Sequence, residues 1–535
     1  MEKLGKFLTL LLLGLVLKGC GGGFSPAPID PYFGVPTTTV PATTQPIHQL
    51  AHPPEPAQGG HLQIAMPMPQ TLNPLLNSER ELAQVLRLLF EPLVVMDEDL
   101  RPHPNPNIVE SITFTPSGQA FTITLHDDIF WEDGTPIRAA DIAFSIDVLR
   151  NHAPETAVYR PNVASIVSHS IIDPRSLHVN LYAPKWQMMY LLDFPIIPAH
   201  YYTGVPMTNL RHPRNMHPVG NGAFRFYSYV LVTRMELIAN DNAPGGRPYI
   251  DRVTATVMRD MSDTVHAFER GIIDILEGSA SIWGRLRAFG KNSSGTMVSG
   301  SFDFIGFNHG RGTFNDVKMR RAIGSVFHAH QLPIRDEAWF AATIPAHAHI
   351  TFAELGFVMG EYGILERELS PILPPFPLAM TIIVNEDNPR TPAMAGGLSV
   401  ALRAAGADVS LHILPAEMFA HRLYSGEFDL VVGTKNIDIR PNLEFLRGYN
   451  RAYGNLMGFN SVYFNRLLDN MNLATNPISF QESVHAVQVY MVENLPILGI
   501  GFEEMMFFTS SRLHGNLAPA GNDIFRNSRS WFILG

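Results

Sequence analysis

Strand-like and helix-like segments alternate along most of this chain, and this alternation restricts the possible folds more than any other feature. Short apolar runs such as FDLVVG, DVSLHIL and LAMTIIV predict strands, whereas KMRRAIGSVFHAH and SFQESVHAVQVYMVEN carry apolar residues at helical spacing. The pattern begins near His61, where HLQIAMPM predicts the first strand, and a hairpin is predicted over residues 112–125. Interleaved strands and helices over such a length predict an α/β fold with mixed sheets and more than one domain.

The first twenty residues resemble a bacterial lipoprotein signal peptide. Lys3 and Lys6 precede an apolar run over residues 7–17, and Cys20 follows it. The run has about eleven residues, well short of the roughly 20 that a transmembrane helix needs. We therefore expect residues 1–20 to direct export and Cys20 to receive a lipid, although Lys18 departs from the usual pattern. The alternative is an ordinary export signal with a chance cysteine.

The next segment, residues 21–58, is rich in Pro, Thr and Gly and has no apolar periodicity. Such a composition does not build a core and predicts an extended, semi-rigid tether. It would hold a folded body away from a membrane surface. The net charge of −10 gives the chain no general attraction to nucleic acid, and we expect no nucleic-acid partner.

Three of the four carboxylates in the stretch FWEDGTPIRAADIAFSIDVLR, residues 130–150, invite an enzymatic interpretation: Glu132, Asp133 and Asp141. Asp133 precedes a glycine and suits a turn, and Asp141 lies in the first turn of a predicted helix, where the helix dipole favours an acid. Glu132 and Asp133 are adjacent on that turn, so their side chains are expected to point apart. The residues therefore predict architecture rather than a catalytic pair, and no GxSxG, HExxH or GxGxxG motif suggests an enzyme.

The same stretch resembles a diagnostic segment of the bacterial extracellular solute-binding proteins of family 5, which serve peptide and nickel ABC importers. Arg138 and Ala140 depart from the helix-capping residues that this family favours, so the helix start is expected to be less firmly capped. Other segments resemble the family in the same order along residues 60–505: TLNP (71–74), PVGNGAF (218–224), GGRPYIDRV (245–253), AFERGIID (267–274), FNDV (314–317) and YMVENLPILGI (490–500).

The resemblance implies a two-lobed periplasmic-binding-protein fold of class II, the large peptide-binding type, with a hinge between the lobes. Lobe I would comprise residues 59–302 and include an inserted subdomain, and residues 501–535 would return to it. Lobe II would comprise residues 303–500. The chain would cross between the lobes near residues 301–303 and 500–502, and closure would be driven by a ligand that contacts both lobes.

The resemblance also implies where the ligand binds. Met68 and Gln70 lie in the turn after the first strand, which lines the family's cleft. Peptide binders of the family carry Gly-Trp and then an aspartate, four residues before a proline, that pairs with the peptide amino group. Here Thr434 replaces the tryptophan, Ile437 replaces the aspartate, and the acid Asp438 comes one position later. We expect ligand contacts from Met68, Gln70, Thr434, Asn436 and Asp438, with Asp438 as a surface acid the equal alternative.

The implied function is the capture of di- or oligopeptides by a monomer without a cofactor or catalytic site. The closed form would deliver peptide to a membrane permease powered by separate ATPase subunits. It would act in the periplasm or on the outer face of the cytoplasmic membrane. Two alternatives remain open: binding of nickel, a metal chelate or another non-peptide solute, and a sensory role on the same fold. Two His-x-His pairs, His328/His330 and His347/His349, motivate the metal alternative, although side chains two apart on a helix diverge.

Overall fold

The computed structural model describes residues 55–534, apart from 98–101, 185–187, 280–285, 287–291, 330–357, 360–364, 367–378, 389, 437–445, 448–455 and 520–522. The predicted signal peptide with Cys20, most of the predicted tether, Asp438, and His330, His347 and His349 lie outside the described residues. Within the described part, no helix is both long enough and apolar enough to cross a membrane.

Strands and helices alternate through the N-terminal half, as the sequence predicts. Its strands are β1 (His61–Met66), β2 (Val94–Met96), β3 (Pro102–Pro104), β4 (Val109–Phe114), β5 (Ala120–Leu125), β6 (Ile166–Asp173), β7 (Ser176–Leu181), β8 (Phe224–Val230), β9 (Arg234–Ala239), β10 (Arg252–Val257) and β11 (Ile275–Ser279). Its helices are α1 (Arg80–Leu86), α2 (Ala139–Asn151), α3 (Met188–Leu191), α4 (Ala199–Tyr202), α5 (Pro213–Met216) and α6 (Met261–Glu269). The predicted hairpin over residues 112–125 is the pair β4 and β5.

The C-terminal half continues the alternation. Its strands are β12 (Asn292–Phe307), β13 (Val358–Met359), β14 (Leu365–Glu366), β15 (Ala379–Asn385), β16 (Asp408–Leu414), β17 (Leu430–Asn436), β18 (Ile497–Ser510), β19 (Leu513–His514) and β20 (Phe532–Ile533). Its helices are α7 (Gly312–Asn315), α8 (Val317–Ala329), α9 (Thr391–Ala404), α10 (Ala416–Ser425), α11 (Val462–Asn472) and α12 (Pro477–Asn494).

The described strands form three larger sheets, two of them mixed. One has the order β1-β10-β9-β8, with β1 parallel to β10 and the other pairs antiparallel. The second, β4-β5-β7-β6, is antiparallel throughout. The third has the order β11-β18-β12-β17-β15-β16, in which β15 runs parallel to β16 and to β17. The predicted α/β fold with mixed sheets is confirmed.

Two large hydrophobic cores lie in different parts of the sequence. The first contains buried residues from Leu62 to Ile275 and is completed by a C-terminal group that includes Phe507 and Trp531. The second contains residues from Phe302 to Ile500, together with Tyr190. A smaller cluster around Phe268 and Phe508 lies beside them. The two predicted lobe boundaries fall at the ends of the second core, although the assignment of lobes stays a prediction.

Strand β18 connects the two cores, because it contributes Phe507 to the first and Ile497, Leu498 and Ile500 to the second, and β12 pairs with it. They pair antiparallel over most of their lengths, and the register shifts between Val298 and Phe302 and again between Asp303 and Phe304. At this point Phe302 lies opposite Phe502 and Asp303 lies opposite Gly501. Because register shifts bend a strand pair locally, the sheet is irregular at the residues where the sequence predicts a crossing.

Asp141 explains how the stretch 130–150 is organised. Its side chain is 5% exposed and accepts hydrogen bonds from the Arg138 backbone N–H at 2.8 Å, the Ala199 N–H at 2.8 Å and the Trp131 indole N–H at 3.2 Å. The carboxylate therefore caps α2, although the sequence departs from the usual capping residues, and it also holds the start of α4 and a fully buried tryptophan. Its role is architectural.

The loop PVGNGAF depends on glycine for a close backbone approach. The Gly222 N–H donates to the Leu89 carbonyl at 2.8 Å, and the Phe224 N–H donates to the Leu88 carbonyl at 2.9 Å. A Cβ on Gly220 would overlap the Leu89 carbonyl oxygen. Any larger residue at position 220 would therefore push this loop away from the segment that follows α1.

Candidate functional site

A pocket of about 370 Å³ opens beside the carboxyl end of β1. Four segments that are distant in sequence build its walls: the end of β1, helix α1, the turn between β10 and α6, and strand β11, with a contribution from residues 524 and 525. The lining is mostly apolar and includes Met66, Met258 and Met261. Flexible thioether side chains adapt to ligands of different shape, so the lining suits a binding site.

The predicted ligand turn after β1 lies only partly in this pocket. Met66 and Pro67 line it, whereas Met68 is 44% exposed and Gln70 is also exposed. Met68 and Gln70 do not contribute to the pocket wall. Their exposure leaves both side chains accessible to a ligand, and their predicted contacts stay predictions.

Glu277 on β11 is the carboxyl group on the pocket wall that is most removed from water. Burial raises its pKa from 4.5 to about 7, with a further contribution from the nearby charge of Glu81, against a lowering by the Gln84 hydrogen bond. Gln84 donates to Glu277 Oε2 across 3.5 Å, a long contact for a hydrogen bond. The same Gln84 side chain accepts from the Ile524 N–H at 3.1 Å and so ties α1 to the C-terminal segment.

Sequence reasoning did not select Glu277 as a site residue. The family pattern AFERGIID ends at Asp274, three residues before Glu277. The sequence still contains a usable signal, because an ionisable residue inside an otherwise apolar strand needs a partner or a function. The four walls could not be assembled from sequence: Gln84 and Ile524, which meet at the pocket, are 440 positions apart.

Thr434, the second predicted ligand contact, lies on β17 directly opposite Asp303 of β12. Its hydroxyl donates to the Asp303 carboxylate and accepts from the Asn388 side-chain amide at 2.8 Å. Asn436 ends the same strand, and Asp438 lies outside the described residues. The Thr434 hydroxyl is therefore engaged within the protein, and Thr434 does not line the pocket beside β1.

Asp303 is the centre of a buried polar network between the strands that connect the two cores. Its side chain is 3% exposed and makes a two-pronged contact with Arg390, with both N···O distances at 3.1 Å. Arg390 also pairs with Glu503 of β18 at 2.5 Å. The network, consisting of Asp303, Arg390, Glu503, Thr434 and Asn388, joins β12, β17, β18 and the start of α9 where the register of β12 shifts. A charged pair of this kind fixes relative strand positions when each partner is satisfied.

The metal alternative gains no support from the described side chains. No group of three or more His, Cys, Asp or Glu residues in the described ranges is arranged to hold a metal ion. His328 lies on α8, and the other three residues of the two His-x-His pairs lie outside the described residues.

The middle of the chain is similar in sequence to known proteins. Residues 103–332 match the family model described as bacterial extracellular solute-binding proteins, family 5 Middle. A putative ABC transporter peptide-binding protein of Brucella ovis is 28% identical over 243 residues, which cover 44% of this chain and 44% of that protein. The sequence match thus spans less than half the length of this relative.

Solved structures extend the likeness to nearly the whole chain at the level of fold. The ABC transporter substrate-binding protein CtaP of Listeria monocytogenes has a TM-score of 0.70 at 16% identity, with 89% of this chain and 99% of CtaP covered. NikZ of Campylobacter jejuni in complex with Ni(L-His) has a TM-score of 0.61 at 18% identity, with 90% and 100% covered. Both are two-lobed periplasmic binding proteins, which confirms the predicted fold class.

Proposed function

We propose that this chain, whose residues 103–332 match the family model of the bacterial extracellular solute-binding proteins of family 5, captures peptides as the solute-binding component of an ABC importer. Proteins of this family bind substrate for transport, do not catalyse a reaction, and work outside the cytoplasm. The observation that carries the proposal is the adaptable, methionine-lined pocket of about 370 Å³ beside β1, on a fold shared with substrate-binding proteins. The name of the Brucella ovis relative supports peptide as the solute class.

Capture would proceed by hinge closure between lobe I, residues 59–302 with 501–535, and lobe II, residues 303–500. A ligand that contacts both lobes only when they are closed stabilises the closed state by its differential affinity. The network around Asp303 supports this mechanism, because its Arg390–Glu503 pair links the proposed lobe II to the segment that returns to lobe I.

The remaining parts of the proposal concern assembly. The closed monomer would dock on a membrane permease, and separate ATPase subunits would supply energy. Cys20 would carry the lipid that holds the protein at the outer face of the membrane, with residues 21–58 as the tether. Met68, Gln70, Asn436 and Asp438 are proposed to contact the ligand, and Thr434 would act from within the network.

A metal chelate is the second candidate solute, because the fold is also shared with NikZ, whose structure contains Ni(L-His). Native mass spectrometry of protein purified under mild conditions separates the two candidates. We expect several species heavier than the protein alone, each carrying a bound ligand. Denaturation should release these ligands, and sequencing should identify them as short peptides. A single nickel-containing species would overturn the peptide assignment.

Isothermal titration calorimetry with a series of alanine-based tripeptides measures the affinity of the protein for peptides. Bound peptide should also raise the unfolding temperature of the protein by mass action. Deletion of the gene should reduce uptake of the same peptides. Normal uptake together with peptide binding would contradict the transport role and favour the sensory alternative.

A further inference from the structure

The two acids in the segment IIDILEG, Asp274 and Glu277, differ in how many hydrogen bonds their side chains receive. Asp274, 2% exposed, receives two hydrogen bonds from Arg512, both at 2.7 Å, one from the Ser510 hydroxyl at 2.7 Å and one from the Gln63 N–H at 2.8 Å. Among the described residues, Glu277, three residues later, receives only the long contact from Gln84. Asp274 therefore forms a fully satisfied ion pair with Arg512, whereas Glu277 keeps acceptor capacity that no described residue uses.

The charged side chains among the described lining residues of the pocket do not compensate Glu277. Helix α1 contributes Glu81 and the neutral Gln84, and the turn before α6 contributes Arg259 and Asp260. The Arg259 side chain is 86% exposed and pairs with Asp263 outside the pocket at 2.9 Å. Asp260 accepts the Asp263 N–H at 2.9 Å and caps α6. The walls from β1 and from residues 524 and 525 are apolar. The pocket thus combines apolar walls with negative charge.

We propose that this pocket receives a cationic group on an apolar stem, such as a lysine side chain of the bound peptide, with the Glu277 carboxylate as its partner. The inference rests on the proposed function, because a peptide ligand is what would carry the cation. The methionine and isoleucine walls would cover the methylene groups of the stem, and Glu277 at the inner wall would accept hydrogen bonds from the ammonium group. Charge-assisted hydrogen bonds in such a partly dry setting are stronger than those between neutral groups.

The protonation behaviour of Glu277 agrees with this assignment. Its raised pKa, about 7, arises because burial disfavours the carboxylate when no cation is present. An ammonium group would favour the carboxylate and lower that pKa again. Affinity for a cationic ligand should therefore increase as pH rises from 6 to 8, whereas affinity for an uncharged ligand of the same shape should not.

The test compares Ala-Lys-Ala with Ala-norleucine-Ala, which has a similar stem but no charge, by isothermal titration at pH 6 and pH 8. At pH 8 the wild-type protein should bind the lysine peptide roughly tenfold more tightly than the norleucine peptide. Glu277→Gln should abolish this preference, and a far-UV circular dichroism spectrum and an unfolding temperature like those of the wild type would show that the variant folds. Glu81→Gln removes the same charge from an exposed residue at the pocket and serves as the matched control; it should keep most of the preference.

The outcomes separate this inference from the proposed function. Equal binding of both peptides by the wild-type protein overturns the cation assignment alone. If Glu277→Gln and Glu81→Gln lose the preference for the lysine peptide equally, the cation assignment is also overturned. The general negative charge of the pocket, and not Glu277 itself, would then explain the preference. Absence of binding for both peptides overturns the assignment of peptides as ligands, and the cation assignment with it.

Discussion

Replacement of Glu132 by glutamine should stabilise the protein at neutral and alkaline pH. The Glu132 side chain lies in the turn before α2, and its Oε2 atom is buried without a hydrogen-bond partner in the described part of the chain. Burial raises the pKa of Glu132 from 4.5 to about 8, despite the lowering effects of a backbone hydrogen bond with Gly220 and of the charge on Arg225. The folded protein therefore holds a proton that the unfolded chain releases.

The sign and size of the effect follow from this difference in pKa. An acid whose pKa is raised by folding contributes stability that is complete below pH 4.5 and is lost as pH rises through about 8. At 1.36 kcal/mol per pKa unit, wild-type protein should lose about 3 kcal/mol of unfolding free energy between pH 5 and pH 7.5 through this group. Glutamine does not ionise, so Glu132→Gln should not show this loss.

Urea unfolding at pH 5, 6, 7 and 7.5, followed by tryptophan fluorescence, measures the effect, since the buried Trp131 is adjacent in sequence. The difference in unfolding free energy between variant and wild type should grow steadily with pH. Glu417→Gln, at an exposed position on α10, makes the same change of charge and should give a difference that is independent of pH. A flat difference for Glu132→Gln, or a variant less stable than wild type at pH 7.5, would refute the reasoning.

Three further predictions concern other buried polar groups. Asp274→Asn should lower the unfolding free energy by about 2–3 kcal/mol in urea titrations, because it breaks the two-pronged pair with the half-exposed Arg512; a loss below about 0.5 kcal/mol would contradict this role. Thr434→Val removes a donor to buried Asp303 and should cost about 1–2 kcal/mol, whereas Thr434→Ser should restore most of it; equal stability of both variants would argue against the network. Burial lowers the pKa of His309 from 6.5 to about 4, so unfolding free energy should fall by up to about 3 kcal/mol as pH drops through this range. A His309→Asn variant that keeps the same acid dependence would show that another group is responsible.

The sequence predicted the fold well because local patterns decide local structure. The run HLQIAM alternates polar and apolar residues and forms β1 with alternately buried side chains. Asp141 was correctly assigned to the start of a helix. Its bonds to Trp131 and Ala199 were not predicted, because they depend on segments that tertiary folding brings together.

The candidate site was much less predictable. Thr434 was selected because it replaces a family residue, yet its hydroxyl is engaged by Asp303, 131 positions away in the chain. The pocket with Glu277 was missed, because its chemistry arises from a carboxylate that no cation among the described residues compensates. Such an absence is a property of the three-dimensional arrangement and leaves little trace in a single sequence.

The composition of the first core has a consequence for the timing of folding. Phe525 and Trp531 belong to this core together with residues as early as Leu62, and the whole second core lies between them in sequence. At about 5–20 residues per second of synthesis, the last components of the first core emerge on the order of tens of seconds after the bulk of it. The first core therefore stays incomplete until the residues that follow the second core have been synthesised. A chaperone or export factor that binds unfolded segments would find the N-terminal part of the chain accessible for longest.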